Sequence, residues 1–187
     1  MKKYQIILLI CLMIVTVFTF YPVLKADFVN FDDMVMVEGN WKINSFTLSN
    51  LKSLLFESHF RLYHPVVTLS FAVERALFGK AAYFYHADNL ILHLFNVLFV
   101  FFIFFSLTKR NFFVSFISAF IFACHPMHVE PVAWVTGRKD VLYAFFFLSS
   151  FAVYLKAAED KNRAKVYYIC SLALFILACL SKFPAAL

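Results

Sequence analysis

Five apolar runs, each bounded by charged or strongly polar residues, set the terms on which this chain can fold. The first, Tyr4 to Leu24, places 21 uncharged residues between Lys3 and Lys25, enough for a helix to cross a hydrocarbon layer about 30 Å thick. The others occupy 89–108, 112–124, 141–155 and 166–181. In lipid, backbone N–H and C=O groups must be bonded within the spanning structure, so this pattern predicts an all-α, polytopic bundle of membrane helices. With 63% hydrophobic residues, 15% charged residues and three glycines in 187 positions, the composition is far from that of a soluble domain. The formal charge of +6 does not point to nucleic acid, because the basic residues sit in short connections and not on one face with interleaved aromatics. Cys11, Cys124, Cys170 and Cys179 lie in or beside apolar runs without paired spacing and read as buried apolar thiols.

Lys2 and Lys3 ahead of the first run also fit the basic start of a signal peptide. The apolar stretch is longer than such a peptide needs, and Leu24-Lys25-Ala26 is a poor cleavage site, which favours an uncleaved anchor. The first connection, 25–88, opens with Asn30-Phe31-Asp32-Asp33, two adjacent carboxylates close to the membrane. Two short amphipathic helices are predicted in it, lying in the interface: one capped by Ser49 with Leu51, Leu54 and Leu55 on a single face, the other starting at Pro65 and stopping at Gly79. Tyr83-Phe84-Tyr85-His86 reads as an interfacial aromatic belt. Asn89, His93 and Asn96 stack on one side of the second span and are expected to face the bundle interior, as interhelical hydrogen-bonding groups or as part of a site.

Basic residues fix an expected orientation. If all five runs cross, Lys2-Lys3, Lys109-Arg110 and the Lys156–Lys165 connection share one side, and the positive-inside rule makes it cytoplasmic. The 25–88 connection and the stretch His125 to Asp140, HPMHVEPVAWVTGRKD, then fall on the extracytoplasmic side, as do all six histidines. The runs flanking that stretch are short: Asn111 to Cys124 rises only about 21 Å as a helix, and 141–155 about 22 Å. His125, Asp140 and Lys182 are thereby recessed, and polar backbone at such depth has to be buried in protein or to line a cavity. An outward-facing pocket is the expectation, lined by His64, His93, Asn96, His125, His128, Glu130 and Asp140.

His125-x-x-His128-x-Glu130 offers ligands suited to a divalent metal such as zinc or manganese. The same groups suit contacts to a phosphate, or hydrogen bonds that shape the loop, and Pro126 and Pro131 prevent one continuous helix from presenting all three. Arg138 and Lys139 are suited to phosphate oxygens, and equally to lipid headgroups.

Taken in order, NFDD after the first span, Tyr63-x-Pro65, Asn89-Leu-x-Leu-His93-x-x-Asn96, HPMHVEPVAWVTGRKD and Ser181-Lys182 resemble the membrane domain of the transmembrane, TPR-repeat-containing O-mannosyltransferases. These belong to the GT-C class, with the dolichyl-phosphate-mannose protein mannosyltransferases. The resemblance implies transfer of a sugar, mannose in that family, from a polyprenyl- or dolichyl-phosphate donor to a protein hydroxyl at the outer face. It implies Asp32 and Asp33 as catalytic carboxylates, with Asp32 the base, and Arg138, Lys139 and Lys182 as binders of the donor phosphate. The family has Arg-Pro where this chain has His64-Pro65, and Ser-Lys-Glu where it has Ser181-Lys182-Phe183. It also has further spans and helical repeats, so the chain is expected to be the N-terminal part of such a domain or a reduced relative. Short connections and a lysine-rich start point to a bacterial inner membrane ahead of the endoplasmic reticulum. Two other functions fit the same residues: a metal or proton transport subunit built on the His/Glu cluster, and an inactive interaction partner.

Overall fold

A computed structural model describes residues 2–45, 47–57 and 63–182; His59 and Phe183 lie outside them. Among the described residues the chain is all-α. Helix α1 is Lys3–Phe20, continued by a 3-10 turn Tyr21–Lys25; α2 is Leu48–Phe56, α3 Pro65–Phe78, α4 Ala82–Leu107, α5 Phe112–Cys124, α6 Val129–Ala133, α7 Arg138–Glu159 and α8 Ala164–Ser181. Four segments, Lys3–Lys25, Ala82–Leu107, Val135–Glu159 and Ala164–Ser181, are long and apolar enough to cross a membrane. The pair α5 and Pro126–Ala133, bent by 52°, makes a fifth if the two halves form one broken span. The break follows from Pro126, which has no N–H to continue the helix and turns the chain after His125. This is a multi-pass membrane bundle.

Leu9 and Leu12 of α1 pack with Val97, Val100 and Phe101 of α4 and with Ala119 and Ala123 of α5. The alanines let these helices approach closely. Helices α7 and α8 are joined by a reciprocal pair: Ser150 Oγ donates to the Ser171 carbonyl at 2.7 Å, and Ser171 Oγ donates to the Ser150 carbonyl at 3.0 Å. Elsewhere α1 and α8 present Ile, Leu and Phe outward, as lipid-facing helices do. Cys11 and Cys170 lie on this outer surface and Cys124 and Cys179 are partly covered, so the expected burial of the thiols is corrected: a small apolar group has no reason to be inside when the solvent is hydrocarbon.

Two helices start earlier than the apolar runs require. Helix α4 begins at Ala82 and α7 at Arg138, and the buried Arg138 is held by Asp88, Asn89 and the Tyr85 carbonyl in the first two turns of α4. Tyr85 and His86, expected at the interface, are therefore buried. The 25–88 connection folds over this end of the bundle, where Met36, Val37, Ile43, Leu54, Val67 and Phe71 pack against Tyr85, Val135 and Leu142. The cap of α2 is Thr47, which accepts from Asn50 N at 3.2 Å, and not Ser49, which lies inside the first turn. Helix α3 begins at Pro65 and is stopped after Phe78 by Gly79, whose φ of 64° is a conformation a glycine adopts without steric cost.

Candidate functional site

The site is built where the 25–88 connection meets the loop between α5 and α7. Asp33 makes the junction: its carboxylate is fully buried, accepting from Val29 N and from Thr136 N, both at 3.0 Å. One bond fixes the turn that carries the acidic pair. The other ties that turn to the 3-10 turn Val135–Gly137, more than a hundred residues away. Gly137 is required there, since a Cβ would stand 2.8 Å from the Pro131 carbonyl oxygen. With the turn fixed, Asp32, His64, Thr136 and Lys139 line one small cleft over Val67 and Phe71.

Charge in and beside the cleft is mixed. Lys139 sits 5.3 Å from the centre of the Trp134 ring, and Lys182 is paired with Asp140. His64, the residue before α3, feels both cations: burial first, then the charges of Lys139 and Lys182, lower the pKa of its imidazole. The imidazole is thus kept neutral and available as a hydrogen-bonding group.

Arg138, expected at a phosphate, is placed differently. It is fully buried under the Phe71 ring, and its guanidinium N–H groups are all engaged. Nε donates to Asn89 Oδ1; Nη1 reaches Ser70 Oγ and Glu74 Oε2 at 3.2 Å and Asp88 Oδ2 at 2.6 Å; Nη2 reaches Glu74 Oε1 and the Tyr85 carbonyl at 2.9 Å. A phosphate contact would require breaking one of these bonds, so the side chain locks the start of α7 to α3 and α4. Glu74, Asp88 and Ser70 do not stand out as site residues in the sequence; the available signal was Glu74 following Val67 and Phe71 at helical spacing, a carboxylate on an apolar face.

Burial, opposed by the Arg138 charge, pushes the Glu74 carboxyl up to about 7. A carboxyl raised in the folded state keeps its proton over a range in which the unfolded chain has already lost it. The stability this group contributes is full below its ordinary 4.5 and is lost as the pH rises through about 7. The unfolding temperature of the detergent-solubilised protein should fall across that window, and Glu74→Gln should flatten the slope; an unchanged profile would contradict the assignment.

The polar stripe on α4 holds the loop. Asn89 Nδ2 donates to the Trp134 carbonyl at 2.8 Å and Asn96 Nδ2 to the Val141 carbonyl at 3.0 Å, while His93 Nε2 donates to the Ala123 carbonyl at 3.1 Å. His93 is enclosed by Phe20, Phe122 and His128. These residues shape the loop and do not reach the cleft. His125 caps the Pro126 turn, its Nδ1 accepting from Met127 N at 3.2 Å, and its side chain and that of Glu130 are exposed. Among the described residues no three His, Cys, Asp or Glu side chains form a group able to hold a metal, so the expected set His125, His128 and Glu130 is not assembled. The His125 and His128 rings lie edge to face with centroids 6.1 Å apart, and Glu130 follows on the short helix α6 beyond the break at Pro126.

Fold and site together define a class: a multi-pass helical membrane protein with a polar cleft, holding an acidic and a basic side chain, at one end of its bundle. Among curated proteins it is similar to protein O-mannosyl-transferase TMTC1 of Mus musculus, 30% identical over 129 residues, 69% of this chain and 14% of that protein. It is 37% identical to TMTC2 of Homo sapiens over 100 residues, 54% of this chain and 12% of that one. TMTC4 of Homo sapiens is 33% identical over 159 residues, 74% and 21%. The chain is a relative of these protein O-mannosyl-transferases, and the matched stretch spans between 12% and 21% of their lengths. All three come from animals and give no support to a bacterial inner membrane. No family model matches the chain, and no solved structure matches it.

Proposed function

We propose that this chain forms the acceptor-activating and phosphate-holding part of a GT-C-type glycosyltransferase, moving a mannosyl unit from a polyprenyl- or dolichyl-phosphate to a protein Ser or Thr hydroxyl at the extracytoplasmic face. The observation that carries the reading is the presence of Asp32 and Lys139 in one cleft, brought together by the bond from Thr136 N to Asp33. The relatives' name, protein O-mannosyl-transferase, supplies the reaction class.

In this reading Asp32 takes the proton of the acceptor hydroxyl as its oxygen bonds to the anomeric carbon. The bond from that carbon to the phosphate oxygen breaks, the lipid phosphate leaves with the electron pair, and the anomeric centre inverts. Lys139 and Lys182 face the growing negative charge, which is where electrostatic stabilisation lowers a barrier. The positive end of the α7 dipole lies beside them. Asp33 and Arg138 position these groups and make no contact with the substrate.

A Lys139→Gln variant of the full-length polypeptide, assayed with dolichyl-phosphate mannose and an acceptor peptide, tests this. Transfer should fall about 100-fold with little change in unfolding temperature, since the side chain is only partly buried, at the cleft beside the Trp134 indole. Undiminished transfer would remove Lys139 from the mechanism.

A further inference from the structure

At the end of the bundle opposite the cleft, a pocket of about 580 Å³ is lined by the C-terminal parts of α4 and α7 and by the residues just after α4. We infer that it binds an anionic phospholipid, headgroup at the mouth and acyl chain between the helices. Phe99, Phe102, Ile103 and Leu155 line it, and Lys109, Arg110 and Lys156 stand at its mouth. Among the described residues none of the three cations is in an ion pair. The acid on the rim, Glu159, accepts from Ser106 Oγ at 2.6 Å.

Local backbone geometry supports the arrangement. Lys109 and Arg110 have φ of 54° and 67°, two successive left-handed residues without a glycine, a conformation that is rare because Cβ crowds the following carbonyl. It stops α4 and holds both basic residues at the pocket in place of a longer excursion into water. Sequence orientation puts this mouth on the cytoplasmic side, where positive charge is common in any membrane protein. Here, however, the charges close an apolar pocket between two helices, and basic pockets so placed suit anionic lipid headgroups. Its volume is that of a small-molecule site. A free phosphate would leave the phenylalanine walls unused, and an apolar protein segment would leave three cations unpaired; a phospholipid satisfies both.

The test uses the full-length polypeptide with p-benzoylphenylalanine in place of Ala152, a lining residue, in nanodiscs of phosphatidylcholine and phosphatidylglycerol. Irradiation should label phosphatidylglycerol in preference to phosphatidylcholine, and excess inorganic phosphate should leave that labelling in place. The combined K109Q, R110Q and K156Q variant should lose it about tenfold or more, with helix content and unfolding temperature unchanged. Equal labelling of the two lipids, displacement by phosphate, cross-linking to a protein segment, or a charge variant labelled like the parent would each overturn the inference. The first three readouts need no charge variant and so do not depend on its folding.

Discussion

Asp32→Asn in the full-length polypeptide is expected to lower mannosyl transfer by about 10²- to 10⁴-fold, the range that a positioned general base supplies, while the unfolding temperature stays where it was. Asparagine matches aspartate in size but has no basicity, and Asp32 is only partly covered at the cleft, so little packing is at stake. Its neighbour should behave in the opposite order. Asp33 accepts two backbone N–H groups while fully buried, and Asp33→Asn would turn an amide N–H toward one of them. Hydrogen bonds to a charged acceptor are worth about 1.5–3 kcal/mol, so this variant should lose stability first, and lose transfer because the turn bearing Asp32 is no longer tied to Thr136. The pair of profiles, unfolding temperature against transfer rate for both variants, separates base from clamp. Full transfer by Asp32→Asn would dispose of Asp32 as the base; equal stability loss in both variants would dispose of the division between them.

That division was only half legible in the sequence. Two adjacent carboxylates after the first span mark a site, but nothing in Asp32-Asp33 says which side chain points to the cleft, because the deciding partner, Thr136 N, belongs to a backbone turn far along the chain. The apolar runs, by contrast, announce the helices unaided, since lipid demands length and hydrophobicity of each segment by itself. The limits of that reasoning appear at the first turns of α4 and α7. There Asp88 and Arg138 lie ahead of the apolar runs and pair across the two helices, while Asn89 accepts from Arg138. A charge compensated across the fold looks, in one dimension, like a charge awaiting a ligand. His125, His128 and Glu130 illustrate the converse: metal-like spacing in the sequence, interrupted by the bend at Pro126, does not bring three ligands together among the described residues. Lys139 lines the cleft with Asp32, whereas Lys182 is paired with Asp140 and acts on His64 through its charge.

Arg138→Met is expected to be the most destabilising single substitution in the chain, at about 3–5 kcal/mol, the cost of removing one partner from a buried ion pair. The figure follows from what remains, not from the pair's own worth: Glu74 is left beside Asp88 without a cation, and Asn89 Oδ1 and the Tyr85 carbonyl lose their donor. Glu74 already titrates near 7 with the arginine present, so in the variant it should hold its proton to still higher pH, which limits the loss at neutral pH and enlarges it on the alkaline side. Arg138→Lys keeps the charge but offers a point of contact in place of a planar fork. It can serve Glu74 and Asp88 and must abandon Asn89 or Tyr85, so it should recover part of the stability and none of the rigidity that aligns α7. The check is thermal unfolding in detergent at pH values on both sides of about 7, where Glu74 titrates, beside transfer by the full-length polypeptide. A phosphate-binding Arg138 would give a different pattern: Arg138→Met would unfold with the parent, and only the donor's KM would rise. The buried-lock reading requires that Arg138→Met and Lys139→Gln, one residue apart, part company, the first losing the fold and the second losing the chemistry.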